Sequence, residues 1–503
     1  QSNPDLYRQF KKTVLIYERV GKLWKESRFF KNTAKGEINL YAIFSEQFKN
    51  LSISRTGMVV PTGLFTDKGT SEFFASLVDE RHIAEINDFE NKEKLFKNVD
   101  SRMRFSLFLT GKTENVKMRI ALKTPQQLFQ EAYITLKPSE IAMFNPNTKT
   151  LPMVKTGKDL SILKKIYSQS KIIYDENAPT EAEKNPLGCS VFTLFHMSND
   201  SDKFRRRSEL EETGYIYQKG QYIKEDETYL PLYEGKSFYI MDSRYNRIEE
   251  DGNGYPVTEE EKSDPDFFPK CRYYVSERDF REQLEKKKID TSNNFYLAYR
   301  NIARANDART FIITPVKTIP FGHSANIFNS NNPSIILTFF QSHIIDYIVR
   351  TKMQGINFSN FIFNQLPILP PEKLKQTRGI QGDQTIEQSI KKILINLTNY
   401  AYDLEPFVKA LGGQIIPRKW DEKERIDNFA KLDAIVAHLY GLTKDELKHI
   451  FSDFKGEAKN QKAIYGEYLS KKLALDYYDK ITLQASSESV DSTGRPNGSA
   501  DTF

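Results

Sequence analysis

A three-residue apolar run, Met58-Val59-Val60, is boxed between Gly57 and the turn Pro61-Thr62-Gly63. So short a run, ended by a proline with no N–H to donate, reads as a strand buried on both faces. Helical patterns border it. Leu40, Phe44, Gln47 and Phe48 recur at helical spacing before it, and residues 71–79 resume helix after it. A second short strand is expected over 83–86. Residues 104–111 alternate around Phe105, Leu107 and Leu109, and 116–124 follow closely enough to pair with them as a hairpin. Strand, helix, strand and paired strands describe part of an α/β sheet.

The chain has 503 residues, about three domains at roughly 150 residues each. A hydrophobic content of 39% supplies buried cores and excludes global disorder. Residues 145–181 are polar and lysine-rich and read as a connector with a helix near 161–170. Residues 188–371 are strand-rich and aromatic, with an acidic stretch at 249–266 expected to be a solvated loop that a nucleic-acid backbone would avoid. The most apolar stretch, 335–349, contains Gln341, His343 and Asp346 and is too short to span a bilayer. It reads as one buried helix. From 381 to 481 the pattern is helical. Ile386, Ile390, Ile393, Leu394, Leu397 and Leu404 form one apolar face; Phe429, Leu432, Ile435, Val436 and Leu439 form another, ended by Gly441. Thr443 with Glu446 predicts a capping box, and Leu442 with Leu447 a hydrophobic staple.

Lys and Arg number 73 against 67 Asp and Glu, a net charge of +6 that permits a polyanionic partner without demanding one. The two cysteines, Cys189 and Cys271, exclude a disulfide scaffold and a cysteine-rich zinc site, and suit a reducing compartment. With no apolar signal core at the start, a cytoplasmic protein is expected. Gln1-Ser2-Asn3 reads as the remnant of a cleavable tag, and the missing initiator methionine as a sign that the chain begins inside a longer gene product. The Ser/Gly/Asp/Asn tail from 485 to 503 is expected to be mobile.

No complete active site is legible. The six histidines form no HExxH and no clustered triad, so no metal site is expected. There is no phosphate-binding lysine loop, and Gly252-Asn253-Gly254 lies in the acidic stretch rather than between a strand and a helix. The strand-rich region has a different character. Arg300, Asn301, Arg304, Asn306 and Arg309 crowd around a β-type run. Arg and Asn are side chains that can reach guanine and adenine edges in bidentate fashion, and Lys and Arg also meet phosphates. The competing reading gives the arginines to internal carboxylates and the asparagines to turns.

Several strings, taken in order, resemble the large DNA adenine methyltransferases of type IIG restriction-modification and related phage-defence systems. GMVVPTGLFTD (57–67) resembles that family's strand and turn after the catalytic motif, and INLYAIFSEQF (38–48) its preceding helix. DFENKEKLF (88–96) with RMRFSLFLTG (102–111), and YLPLYEGKSFYIMDSRY (229–245) at the entry to recognition, are similar too. So are the R-x-I-A-R strand, the QLPILPP close, LDAIVAHLYGLTKDEL and GEYLSKKL. Each is weak alone; their joint order over residues 39–473 carries the resemblance. The departure matters equally. The family binds S-adenosylmethionine through a glycine-rich motif and catalyses with an Asn/Asp-Pro-Pro-aromatic motif, and neither occurs here.

The resemblance therefore implies the C-terminal part of such an enzyme, of mixed α/β and α+β class. Residues 1–144 would be the remnant of a Rossmann-like methyltransferase sheet and 145–187 a connector. Residues 188–375 would be a strand-rich target-recognition domain, 376–482 a helical C-terminal region and 483–503 a flexible tail. The parent would be a site-specific adenine methyltransferase using S-adenosylmethionine as cofactor and flipping its target base; this chain alone would be inactive, with no catalytic residue of its own. Its partners would be double-stranded DNA and the missing N-terminal half of the same protein or a catalytic subunit. The expected DNA-facing set is Arg300, Asn301, Arg304, Arg309, Lys317, His323, Arg350, Lys352 and Asn357, with Pro61, Thr62 and Gly63 shaping a pocket. The alternative is a non-enzymatic DNA-specificity subunit serving a separate catalytic one.

Overall fold

The structure, a computed structural model, describes residues 3–353, 355–379, 385–481 and 483–485. The expected mobile tail lies outside them beyond Ala485. The fold is mixed α/β with several sheets and many helices, gathered into two compact units. The first takes residues up to 168 with 175–178 and 351–354; the second takes the rest. No helix among the described residues is long and apolar enough to cross a membrane.

In the first unit, β1 (Thr56–Pro61), β2 (Ile83–Glu90), β3 (Arg104–Thr110), β4 (Val116–Leu122) and β5 (Ile134–Leu136) form one sheet in the order β1-β3-β2-β4-β5. β3 is antiparallel to both β1 and β2, so those two run in the same direction with a reversed strand between them; β2 and β4 pair in parallel. The hairpin expected between β3 and β4 does not form. After β3 the chain crosses the start of β2, where the Gly111 and Thr113 amides donate to the carbonyls of His82 and Arg81 and the Thr113 hydroxyl to that of Ile83. The crossing carries β4 to the far side of β2. β2 itself outruns its expected end, because Asn87 and Asp88, polar enough to suggest a strand end, are buried and satisfied within the sheet.

Two helices precede this sheet. α1 (Pro4–Glu26) buries none of its residues, although Leu6, Phe10, Val14 and Tyr17 recur along it at helical spacing. α2 (Leu40–Leu51) buries Ala42, Ile43, Ser45 and Glu46 and turns Leu40, Phe44 and Phe48 outward. The apolar stripe read from the sequence is thus the uncovered side. Glu46 is held inward because it accepts from the Thr33 amide and hydroxyl, at 3.0 and 2.6 Å. The expected connector is also more than a linker: Leu151, Met153 and Val154 are buried, and a helix runs over Gly157–Tyr167 with a buried apolar side.

The second unit is built on two antiparallel sheets. β6 (Ser190–Phe192), β7 (Phe295–Arg300), β8 (Ile313–Lys317) and β9 (Ala325–Asn329) lie in the order β8-β7-β9-β6. The other sheet has five strands, with Tyr273–Ser276 between Phe204–Arg206 and Glu227–Pro231. The acidic stretch is not a loop throughout. It holds a hairpin of Asn246–Ile248 with Gly254–Pro256 and a short helix, Glu259–Lys262; Glu249 pairs with Arg207 and Glu261 with Arg247. The apolar stretch expected as one helix is two, α3 (Pro333–Phe340) and α4 (His343–Lys352). The break falls at Gln341-Ser342, where the His343 amide leaves the helical ladder and donates to Asp433 Oδ1 at 2.8 Å.

The helical end follows its sequence pattern closely. α5 (Ile386–Thr398) buries Ile386, Ile390, Ile393, Leu394 and Leu397; α6 (Glu422–Leu439) buries Leu432, Ile435, Val436 and Leu439, leaving Phe429 half-buried. α7 (Lys444–Phe451) opens with the Thr443–Glu446 capping box, and Leu442 and Leu447 are both buried. α8 (Lys455–Tyr465) and α9 (Leu469–Lys480) complete it.

Candidate nucleic-acid interface

The end of β7 gathers the polar residues singled out in the sequence. Beyond Arg300 the chain leaves the sheet, and the segment 301–303 pairs with 356–358: Ala303 N–H donates to Ile356 C=O, and Phe358 N–H to Asn301 C=O. The pairing sets Ile302 opposite Asn357, and Ile302, Arg304, Ile356 and Asn357 are exposed while Asn301 is half-buried. His323 joins them, its carbonyl facing the Asn301 amide at 3.4 Å and its ring stacked on His196 at 5.6 Å between centroids. His196 was not anticipated, because its position depends on the bridge between Phe195 and Gly322, over a hundred residues apart in the chain. Arg304 is anchored through its backbone, whose amide donates to Asp307 while its carbonyl accepts from Thr310. Its guanidinium forms no ion pair among the described residues.

Other members of the expected set do not belong there. Arg309 and Arg350 are buried on either side of the buried Asp346: Arg309 Nε donates to Oδ2 at 2.8 Å and Arg350 Nε to Oδ1 at 3.0 Å. Burial opposes the Asp346 carboxylate, but Arg350 and Arg309 outweigh it and hold its pKa below the ordinary aspartate value. Lys352, in the first unit, is buried with its ammonium on the Phe144 carbonyl at 2.6 Å and on Asn145 Oδ1. Burial lowers its pKa to about 7. Arg300 is half-buried and donates through Nε and Nη2 to the Phe238 carbonyl, against the rings of Tyr239 and Tyr245. These four cations serve the fold. Lys317 is exposed, but its register partner is Phe295, at the opposite end of β7 from Arg300. What the structure brings together is Asn301, Arg304, His323 and Asn357, with His196 added.

In the first unit, the turn after β1 is tightly built. Thr62 is buried and donates to Asp88 Oδ1 at 2.7 Å; Asp88 also takes the Arg104 guanidinium and the Ala121 amide. Gly63 packs against the Asp67 carboxylate, which a Cβ there would displace, and its carbonyl accepts from Thr70 Oγ1 at 2.8 Å. Asp67 and Thr70 help line an open polar pocket of about 290 Å³ with Asn39 and Tyr41. S-adenosylmethionine does not fit what this unit offers. The turn is closed on itself by side-chain bonds, and no glycine-rich loop presents backbone amides beside it.

No protein-family model matches the chain, and no curated protein matches it. Two solved structures are similar at low identity. The type IIL restriction-modification enzyme MmeI in complex with DNA is 10% identical over 86% of this chain and 54% of its own, with a TM-score of 0.41. The type IIG restriction endonuclease BpuSI is 13% identical over 95% of this chain and 53% of its own, with a TM-score of 0.30. The chain spans about half the length of each.

Proposed function

We propose that the chain is the DNA-choosing part of a site-specific adenine methyltransferase in a restriction-modification or phage-defence system. The observation that carries this reading is the surface at the end of β7, where Asn301, Arg304, His323 and Asn357 converge from three separate segments. Asn is suited to adenine edges and Arg to guanine edges or phosphates. The ordered motifs over residues 39–473 support the same reading. The common direction of β1 and β2 and the parallel pairing of β2 with β4 support reading the first unit as the end of a Rossmann-like sheet, in which β3 and β5 would be the antiparallel members. S-adenosylmethionine would be held by a catalytic half joined to this one in the same polypeptide, or by a separate subunit. The uncovered edge of β1 favours a companion in either form: β1 ends its sheet, and Val59 beside it is 58% exposed. Reading the gene upstream for an in-frame Asn-Pro-Pro-aromatic motif separates the two.

The test is selection of duplexes from a random pool by the purified chain. Retention of a defined site, with preference relaxed by about 1–3 kcal/mol in Asn301→Ala or Asn357→Ala, is the expected result. Unselective or absent duplex binding overturns the reading, as does methyl incorporation into DNA by the isolated chain.

A further inference from the structure

The helical end of the second unit carries a charged face that the reading above does not use. On α8, Lys455, Lys459 and Lys462 stand at i, i+4 and i+7, which places them on one side of the helix. All three are exposed. The other side faces the protein: Gln461 is buried, and Glu457 reaches His343 Nε2 at 2.7 Å. Lys448 on α7 and Lys471 on α9 approach the same region. Burial first, then the charges of Lys448 and Lys462, lower the pKa of Lys471, so the three ammonium groups feel one another.

Neighbouring lysines are neutralised where an acid is within reach, as Lys444 is by Asp479 and Lys472 by Glu467. No ion pair among the described residues engages Lys448, Lys455, Lys459, Lys462 or Lys471. Three helices thus carry five lysines that form no ion pair among the described residues, three of them close enough to repel one another.

The location gives this face its meaning. At the start of α8, Gly456 abuts the loop that carries Arg304: a Cβ on Gly456 would come within 3.3 Å of Ala308 Cα. Arg350 ties the two together from below, donating to the carbonyls of Asp307 and Ala308 at 2.7 and 3.1 Å and to that of Asp453 at 3.2 Å. The lysine face therefore begins where the candidate base-reading loop ends.

We propose that the face formed by Lys455, Lys459 and Lys462, with Lys448 and Lys471, binds the phosphate backbone of duplex DNA beside the site read by Asn301, Arg304, His323 and Asn357. This rests on the DNA-recognition reading and extends it to a part of the chain that no base-reading residue occupies. Uncompensated lysines set affinity and salt dependence without reading sequence. Positioning and reading would then be divided between α8 and the loop next to it.

The experiment measures duplex affinity of the full chain against salt concentration for the wild type, for Lys455→Gln/Lys459→Gln/Lys462→Gln and for the matching triple Lys→Arg variant. Each phosphate contact contributes about 0.9 to the slope of log K on log salt, so the Gln variant should lose roughly 3 from it. The Arg variant should keep the slope, and the duplexes selected from a random pool should be the same for all three. An unchanged slope in a folded Gln variant, with the wild type binding DNA, overturns the lysine-face proposal and leaves the recognition reading standing. A wild type with no salt-dependent duplex binding removes both.

Discussion

Both units bury an apolar core, but their helices differ in how much apolar surface they leave open. In the second, α3 buries seven of its eight residues, from Ser334 to Phe340, and α5 and α6 bury six of thirteen and eleven of eighteen. In the first, α1 buries nothing, and Phe44 and Phe48 of α2 lie open beside Met58 and Val59 of β1 around a hollow of about 500 Å³. This apolar surface adjoins β1, whose outer edge pairs with no strand among the described residues.

The strongest way to probe that contrast is to strike the buried charge network of the second unit. Asp346→Ala would take from Arg309 its ion-pair partner, leave Arg350 only the more distant Asp453 carboxylate at 3.8 Å, and leave the Thr310 amide without its acceptor. Removing one member of a buried ion pair costs about 3–5 kcal/mol. Denaturant titration should show the loss in the transition of the second unit, with that of the first unmoved. A shared shift would mean that the two unfold together.

Opposite responses to pH should be next in size. Lys352 of the first unit has a folded pKa of about 7, below its ordinary 10.5, so the unfolded chain holds a proton the folded one has shed. Stability of that unit should rise between about pH 7 and 10.5, and Lys352→Met should flatten the rise. For His343 of the second unit, burial and Arg309 oppose the charged ring, but Asp433 and Glu457 prevail and its pKa is raised above 6.5. Its contribution is complete below pH 6.5 and is lost as pH climbs through the raised value. Thermal melts across pH, with Lys352→Met and His343→Gln as controls, would show whether the two slopes differ in sign.

The smallest stability effect is the most pointed for the comparison. Phe44→Ser on the open face of α2 should change stability by no more than about 0.5 kcal/mol, as surface substitutions do. It should reduce self-association measured by light scattering. A large destabilisation would show that Phe44 already has a partner within the fold.

Local signals were the legible ones. The Thr443 capping box and the faces of α5 and α6 depend on residues within a turn or two of each other, and they appear where the sequence puts them. The strand β1 was readable because glycine and proline delimit it, but its expected burial on both faces was not met: it ends its sheet and Val59 is 58% exposed. What failed was long-range. Arg309 and Arg350 look like surface cations until Asp346 is placed between them, and that requires knowing that α4 packs against the loop after β7. The full length of β2 was hidden because Asp88 meets its partners, Arg104 and the Ala121 amide, only once β3 and β4 flank it. For the candidate interface, the sequence supplied residue types, and the fold selected Asn301, Arg304, His323 and Asn357 from among them.

With its guanidinium committed to three backbone oxygens as well as to Asp346, Arg350 locks the start of α8 to the loop bearing Arg304. The two segments are held in contact as one ledge, so whatever displaces the loop carries the first turn of the helix with it.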